Sequence, residues 1–328
     1  MKELLKYNLQ LFAEMNTNIT SSEGLTDEMK TYYSDYLIDN AIPKLVHDQF
    51  GQKHPIPKNG GKTIEFRKYS PLPKLTTALQ EGVTPDGQSL SMSTITATVA
   101  QYGGYITLSD MLLLTAIDNN LVQATKLLGA QAGATLDTIT REVINGGTVV
   151  RYAGGKSGRA ALDASSVLTV DDIKKAVVEL KNQNAEKING DWVGIIHPDI
   201  AYDLTNDPAW KDVKTYSDPE DIYEGEIGKI YGVRFVETTE AKIFAKKGSD
   251  SRDVYSTLIL GDNAYGVTEI TGGGLEHIVK QLGSAGTGDP LNQRATAGWK
   301  ATKVAERLVE NYMVRIESAS TFNRQKEN

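Results

Sequence analysis

Ser109-Asp110-Met111-Leu112-Leu113-Leu114-Thr115-Ala116-Ile117 opens the segment whose reading decides the fold. Leu113, Ile117, Leu121, Leu128, Ala132, Leu136, Ile139 and Val143 then recur three, four or seven positions apart, one apolar stripe of a helix. Asn145-Gly146-Gly147 stops the pattern. From Asp110 to Ile144 the helix would be roughly 50 Å long at ~1.5 Å per residue. The stripe is neither heptad nor apolar all round, so it reads as a single spine packed on a sheet.

Upstream, Ile64 and Phe66 alternate with Thr63, Glu65 and Arg67, which is strand periodicity. Thr94-Ile95-Thr96-Ala97-Thr98-Val99 repeats it, with Ile95, Ala97 and Val99 on one face. Pro71, Pro73, Gly82, Pro85 and Gly87 lie between. So long a structureless loop is foreign to a compact domain. The two strands are therefore expected to form a long hairpin reaching away from the body, and such a ribbon needs a partner to lie on.

Residues 1 to about 60 read as an arm. Thr26-Asp27-Glu28-Met29 caps a short helix bearing Tyr32, Tyr33, Tyr36 and Leu37, Pro43 interrupts it, and His54-Pro55-Ile56-Pro57 is loop. The first apolar residues are broken by Lys6, Asn8 and Gln10 and no Ala-x-Ala site follows, so they read as arm and not as a signal peptide.

Downstream, Thr169-Val170-Asp171-Asp172 is a capping-box pattern ahead of Ile173, Ala176, Val177 and Leu180. Trp192-Val193-Gly194-Ile195-Ile196 reads as a buried strand, and His197-Pro198-Asp199 starts a helix. A short helix is expected around Ile222 to Ile230, then strands at Gly232–Val236 and Tyr255–Leu260. Residues 165 to 270 thus form a compact unit around one sheet. Val304, Ala305, Leu308, Val309 and Tyr312 fit a helix, whereas Val314, Ile316 and Ser318 fit a strand. If the tail Asn323-Arg324-Gln325-Lys326-Glu327-Asn328 is ordered, contact with neighbouring chains is the expected reason.

Composition narrows the function. With 35 Lys+Arg against 42 Asp+Glu the net charge is -7, which argues against a general nucleic-acid binder. Cys is 0, so disulfides, thiolate metal sites and cysteine nucleophiles are excluded, and 4 His leave little for a His-rich metal site. No apolar run is long enough to span a bilayer.

The chemical motifs reduce to structural readings. Gly154-Gly155-Lys156-Ser157 imitates the end of a phosphate loop, but Val150 stands where that loop needs glycine. His47 and His54, flanking Asp48, read as surface loop histidines. His197 near Asp199 lacks a nucleophile motif and reads as a residue ahead of a helix, and His277 as a strand side chain. Asp171, Asp172, Asp203, Asp207 and Asp218 read as caps. Nothing here makes a case for catalysis, a cofactor or a metal. The pattern is that of a shape protein whose projecting parts bury surface between subunits.

Several stretches together resemble the major capsid proteins of tailed bacteriophages, the group typified by the capsid protein of phage N-four. They are Asn8-Leu9-Gln10-Leu11-Phe12-Ala13, Gly61-Lys62-Thr63-Ile64-Glu65-Phe66-Arg67-Lys68-Tyr69, Leu79-Gln80-Glu81-Gly82-Val83-Thr84-Pro85 and Gln101-Tyr102-Gly103-Gly104-Tyr105. His197-Pro198, Ile227–Glu237, Leu260–Val267, Asp289–Arg294 and Gly298-Trp299-Lys300 follow in family order. The resemblance implies an α+β chain with the Hong Kong 97-type capsid fold. It implies an N-terminal arm (1–58), an extended hairpin loop (59–107), and a peripheral domain with the spine helix (108–164). An axial domain (165–275) and a return to the peripheral domain with the tail (276–328) complete it, which tips the last segment toward strands.

The resemblance also implies a non-enzymatic shell protein, assembled in the host cytoplasm into hexamers and pentamers of an icosahedral virion capsid around double-stranded DNA. Its other partners would be a separate scaffolding protein and a portal, with a decoration protein left open. DNA would be enclosed without sequence-specific binding, and no membrane is involved. Phe12, Tyr36, Arg67, Lys68, Lys74 and Glu81 are the candidate inter-subunit residues. Two rival readings are an encapsulin-like nanocompartment shell enclosing enzyme cargo, and a hydrolase using His197 and nearby carboxylates.

Overall fold

The computed structural model describes residues 17–18, 46–55, 62–69, 72–78, 81–82, 84, 86–115, 120–210, 228–268, 275–284, 288–325 and 328. In chain order the strands are β1 (Thr17–Asn18), β2 (Gln52–His54), β3 (Thr63–Tyr69), β4 (Met92–Thr98), β5 (Ala100–Ser109), β6 (Val150–Tyr152), β7 (Trp192–Ile196) and β8 (Lys229–Ile230). Then come β9 (Val233–Glu237), β10 (Ile243–Phe244), β11 (Val254–Leu260), β12 (Tyr265–Thr268), β13 (Leu275–Lys280), β14 (Arg294–Lys303), β15 (Ala305–Arg307) and β16 (Met313–Ser318). The helices are α1 (Asp110–Thr115), α2 (Asn120–Asn145), α3 (Val170–Asn182) and α4 (Pro198–Thr205). The mixture is the expected α+β class. The chain divides into two compact units.

One unit gathers Tyr102–Ala132 and Leu275–Ala301. Its sheet has the order β1-β5-β14-β13, with β1 parallel to β5 and β13 antiparallel to β14. Glycines let β5 and β14 approach: a Cβ on Gly103 would stand 2.8 Å from the Trp299 carbonyl oxygen. The Trp299 indole donates to Gln131 Oε1 at 3.1 Å, tying this sheet to α2. Leu108, Leu112 and Ala124 form a small core beside them.

The other unit gathers Pro43–Gln101, Gly133–Gly274 and Thr302–Asn328. Its largest sheet has the order β6-β16-β11-β7-β9-β8, with β10 also on β11. Every residue of β7 and β11 is buried, because both faces of the sheet are covered. On one face Ile173, Ala176 and Leu180 of α3 and Ile200 and Leu204 of α4 pack with Trp192, Ile196, Ile259, Val314 and Ile316. On the other, Val193, Ile195, Leu258 and Leu260 meet Ile144 of α2, Tyr265 and Val46. Helix α3 starts at a complete capping box between Thr169 and Asp172. Helix α4 starts with His197 accepting from the Asp199 amide and Pro198 in the first turn.

The stretch expected as one helix is helical in α1 and α2, and residues 116–119 between them lie outside the described residues. Two expectations change. Of the helix expected at 222–230, residues 222–227 lie outside the described residues. Lys229 and Ile230 are strand β8, paired back on β9 through a turn with positive φ at Tyr231 (51°) and Gly232 (80°). The final segment is strand, but β16 joins the seven-stranded sheet and not the four-stranded one. That sheet also takes β6, so it extends beyond 165–275. The cause is the alternation of Val314 and Ile316 toward α3, which buries only between β6 and β11.

Leu180→Ala removes a fully buried side chain of α3, and urea denaturation is expected to show a loss of about 2–5 kcal/mol. Val178→Ala, on the exposed face of the same helix, is expected to change stability by less than about 0.5 kcal/mol.

Candidate functional site

The hairpin is present, with β3 and β4 antiparallel from Thr63 opposite Thr98 to Tyr69 opposite Met92. Its root docks on the chain's own body. Ile64, Phe66 and Ala97 are buried and pack with Ile95, Val99, Val304 and Leu308. The Phe66 ring lies where a side chain on Gly266 of β12 would be, so any Cβ there collides with it. His54 of β2 meets the ring edge-on, with centroids 4.7 Å apart. The threonines, Glu65 and Arg67 point outward, as the alternation requires.

Beyond the root the contacts stop. All described residues of 72–78 and 86–94 are exposed. They include Leu72, Leu75, Leu90 and Met92, with Leu75 at 79% and Leu90 at 73% of full exposure. Two leucines so open on one projecting ribbon form an apolar surface that the described part of the chain leaves uncovered. Of the candidate contact residues, Arg67 lies exposed on β3 with its guanidinium 4.0 Å from Glu65. Lys74 and Glu81 are exposed on the ribbon, and Lys68 lies in β3 opposite Ser93. Phe12 and Tyr36 lie outside the described residues.

Around His47 and Asp48, ahead of the hairpin, stands a buried polar cluster that the sequence reading missed. His47 is fully buried, not a surface loop histidine. Its amide donates to Asp137 Oδ1 at 2.8 Å, and its Nδ1 lies 2.7 Å from Asp137 Oδ2. Asp48 accepts from Thr140 Oγ1, one turn along α2, and from the Nζ of Lys303, itself 1% exposed. Burial, then the Asp48 and Asp137 charges, push the Tyr265 hydroxyl well above the ordinary tyrosine range. It therefore stays protonated and donates to the His47 carbonyl oxygen. Residues 47–48, ahead of the hairpin, are thus pinned to α2, β12 and β14. No local pattern announces this, since the partners lie far apart in the chain.

The chemical candidates are structural. His197 Nδ1 accepts from the Asp199 amide at 3.1 Å, and burial lowers the imidazole pKa, keeping it a neutral acceptor. Gly154 and Gly155 form a turn with φ of 65° and 67°, and Lys156 is tied to Asp163 at 2.7 Å. Asp172 caps α3, Asp171 pairs with Lys175, and Asp207 accepts from the Val170 and Ala209 amides. Asp218 lies outside the described residues. Among the described residues no three His, Asp or Glu are placed to hold a metal, and no helix is long and apolar enough to cross a membrane.

The segment after β16 corrects another expectation: its bonds go to its own chain. Asp203 accepts from Ser320 and Thr321, Asp199 binds Arg324 through two bonds of 2.7 Å, and Asp253 accepts from the Gln325 amide. Burial works to raise the Asp199 carboxyl, but Arg324 and the Tyr255 hydroxyl outweigh it and hold it below the ordinary carboxylate range.

Comparison with known proteins agrees with this geometry. A protein-family model described as phage capsid protein matches residues 93–312. No curated protein sequence matches the chain. Among solved structures, the capsid of cyanophage P-SCSP1u is similar with a TM-score of 0.67 and 13% identity, over 89% of this chain and 91% of that one. The capsid of Ralstonia phage GP4 gives 0.66 and 13% over 98% of both chains. The capsid of cyanophage Pam1 gives 0.66 and 14% over 98% and 100%.

Asp48→Ala strands the buried Lys303 charge, and chemical denaturation is expected to show a loss of about 3–5 kcal/mol. Asp48→Leu with Lys303→Met removes both charges and is expected to recover most of that loss.

Proposed function

The chain belongs to the phage capsid protein family, and we propose that it is the major capsid subunit, building the icosahedral shell of a virion head by self-association. The observation that carries the mechanism is the ribbon of residues 72–92, whose root is docked and whose apolar side chains are open. A surface of that kind is covered by another copy. The rigid root fixes where the ribbon points, so burial of Leu75 and Leu90 is spent on association and not on ordering the hairpin.

In the shell, the arm (1–58) ahead of its docked residues 46–54 and the outer part of the loop (59–107), residues 72–92, lie across neighbours. Residues 108–164 without β6 and 276–328 without β16 serve as the peripheral domain, and 165–275 together with β6 and β16 as the axial domain. Phe12 and Tyr36 on the arm, and Arg67, Lys68, Lys74 and Glu81 on the loop, meet neighbouring copies, the charged ones setting register. The shell is built from hexamers and pentamers in the host cytoplasm, with a separate scaffolding protein and a portal, and encloses double-stranded DNA. The net charge of -7 suits a container that holds DNA by confinement and not by attraction. The subunit carries no catalytic role. The family match favours neither the nanocompartment nor the hydrolase reading.

Electron microscopy of the purified chain is expected to show closed isometric particles. Leu75→Asp with Leu90→Asp is expected to abolish them while leaving the melting temperature of the unassembled chain within about 2 °C, since both side chains are exposed there. A chain that stays monomeric in all conditions, or a double variant that assembles normally, contradicts the proposal.

A further inference from the structure

We propose that residues 320–325 are a strap that opens and closes as a unit while the sheet beneath stays folded. Ala319 is the last residue built into the body: it is fully buried, its amide donates to the Ser166 carbonyl oxygen at 2.8 Å, and it bridges Val167. After it the chain leaves the sheet and is held almost wholly by polar bonds.

Most of the bonds go to three carboxylates rooted in the body; Arg252 also donates to the Ser320 carbonyl oxygen at 3.4 Å, and beyond the strap Asn328 is bonded to Arg141, Thr239, Ala241 and Ile243. Asp203 of α4 accepts from Ser320 Oγ at 2.7 Å, from the Thr321 amide at 2.9 Å and from Thr321 Oγ1. Asp199, at the start of α4, takes both nitrogens of the Arg324 fork. Asp253, before β11, accepts the Gln325 amide, and its own amide donates to Asn323 Oδ1 at 3.3 Å. All three carboxylates are buried, and two are anchored by other bonds, Asp199 to the Tyr255 hydroxyl at 2.9 Å and Asp253 to the Lys246 amide at 3.0 Å. The large apolar side chain of the strap, Phe322, is 39% exposed and touches a more open Tyr202 edge-on.

That division separates the strap from the fold. Its removal uncovers little apolar surface, so the cost of opening is that of these polar bonds and leaves the core of the sheet intact. Thr321 also forms one wall of a cavity of about 560 Å³ whose other walls include Val167, Leu168, Tyr202, Asp203 and Pro208. This pocket is already open to solvent, and opening the strap removes the one wall that Thr321 supplies. His197, Tyr255 and Arg324 are the groups facing Asp199. With Asp199 held below the ordinary carboxylate range, its bonds are complete at neutral pH and are lost as acid protonates it, so the strap is fastened at neutral pH.

The test is limited trypsin digestion of the full chain at neutral pH, with mass spectrometry reading the cut after Arg324 against cuts after Arg307 and Arg315. The wild-type cut after Arg324 is expected to be slow. Asp199→Asn is expected to speed it by about tenfold or more while the cuts in β15 and β16 stay unchanged. Should Asp199→Asn fail to fold, Arg324→Gln is read by hydrogen exchange: the Thr321 and Gln325 amides exchange faster and those of β16 do not. Equal cutting after Arg324 in both proteins, or strap and β16 sites opening together in either variant, overturns the proposal.

Discussion

A two-stranded ribbon cannot bury its own side chains. It has two faces and no third strand, so whatever apolar residues it carries must be covered from outside. Here the body covers only the root, where Ile64, Phe66 and Ala97 pack on Val304 and Leu308. Farther out the same ribbon carries Leu72, Leu75 and Leu90 with nothing over them among the described residues. The rest of the structure follows from that division. A projection can place an apolar surface on a neighbour only if its root does not move, and the body is arranged to hold the root still.

Two devices do this. Phe66 interlocks with Gly266, so the ribbon's angle is set by a contact in which no larger residue fits. The buried cluster of His47, Asp48, Asp137, Thr140 and Lys303 fixes the preceding loop to α2 and β14. Buried ion pairs contribute little net stability relative to apolar packing. They do require one geometry, since any other leaves a charge without a partner. Directional fixing of this kind suits a subunit that must present the same surface in every copy.

Much of the fold was legible in the sequence, and the exceptions share a cause. The alternation of Ile64 and Phe66, the unbroken apolar run at 192–196 and the Thr169 capping box depend on neighbours a few residues away, and all three are seen. The cluster depends on residues such as Asp48 and Lys303, which only the folded chain brings together. A lysine this deeply buried has no local signature, and His47 resembles any histidine in a loop. The last segment was ambiguous because Leu308 and Tyr312 lie in a turn between two short strands, which mimics helical spacing. Ser320, Thr321 and Arg324 look like an ordinary polar tail, and only Asp199 and Asp203 in place show what they bind.

The central claim is that the open ribbon is buried by another copy of the chain. Hydroxyl-radical footprinting reads it directly, by comparing labelling of Leu75, Leu90 and Met92 in assembled particles and in dissociated subunits. Strong labelling in subunits and strong protection in particles is the predicted result. Equal labelling of these residues in both states contradicts the account.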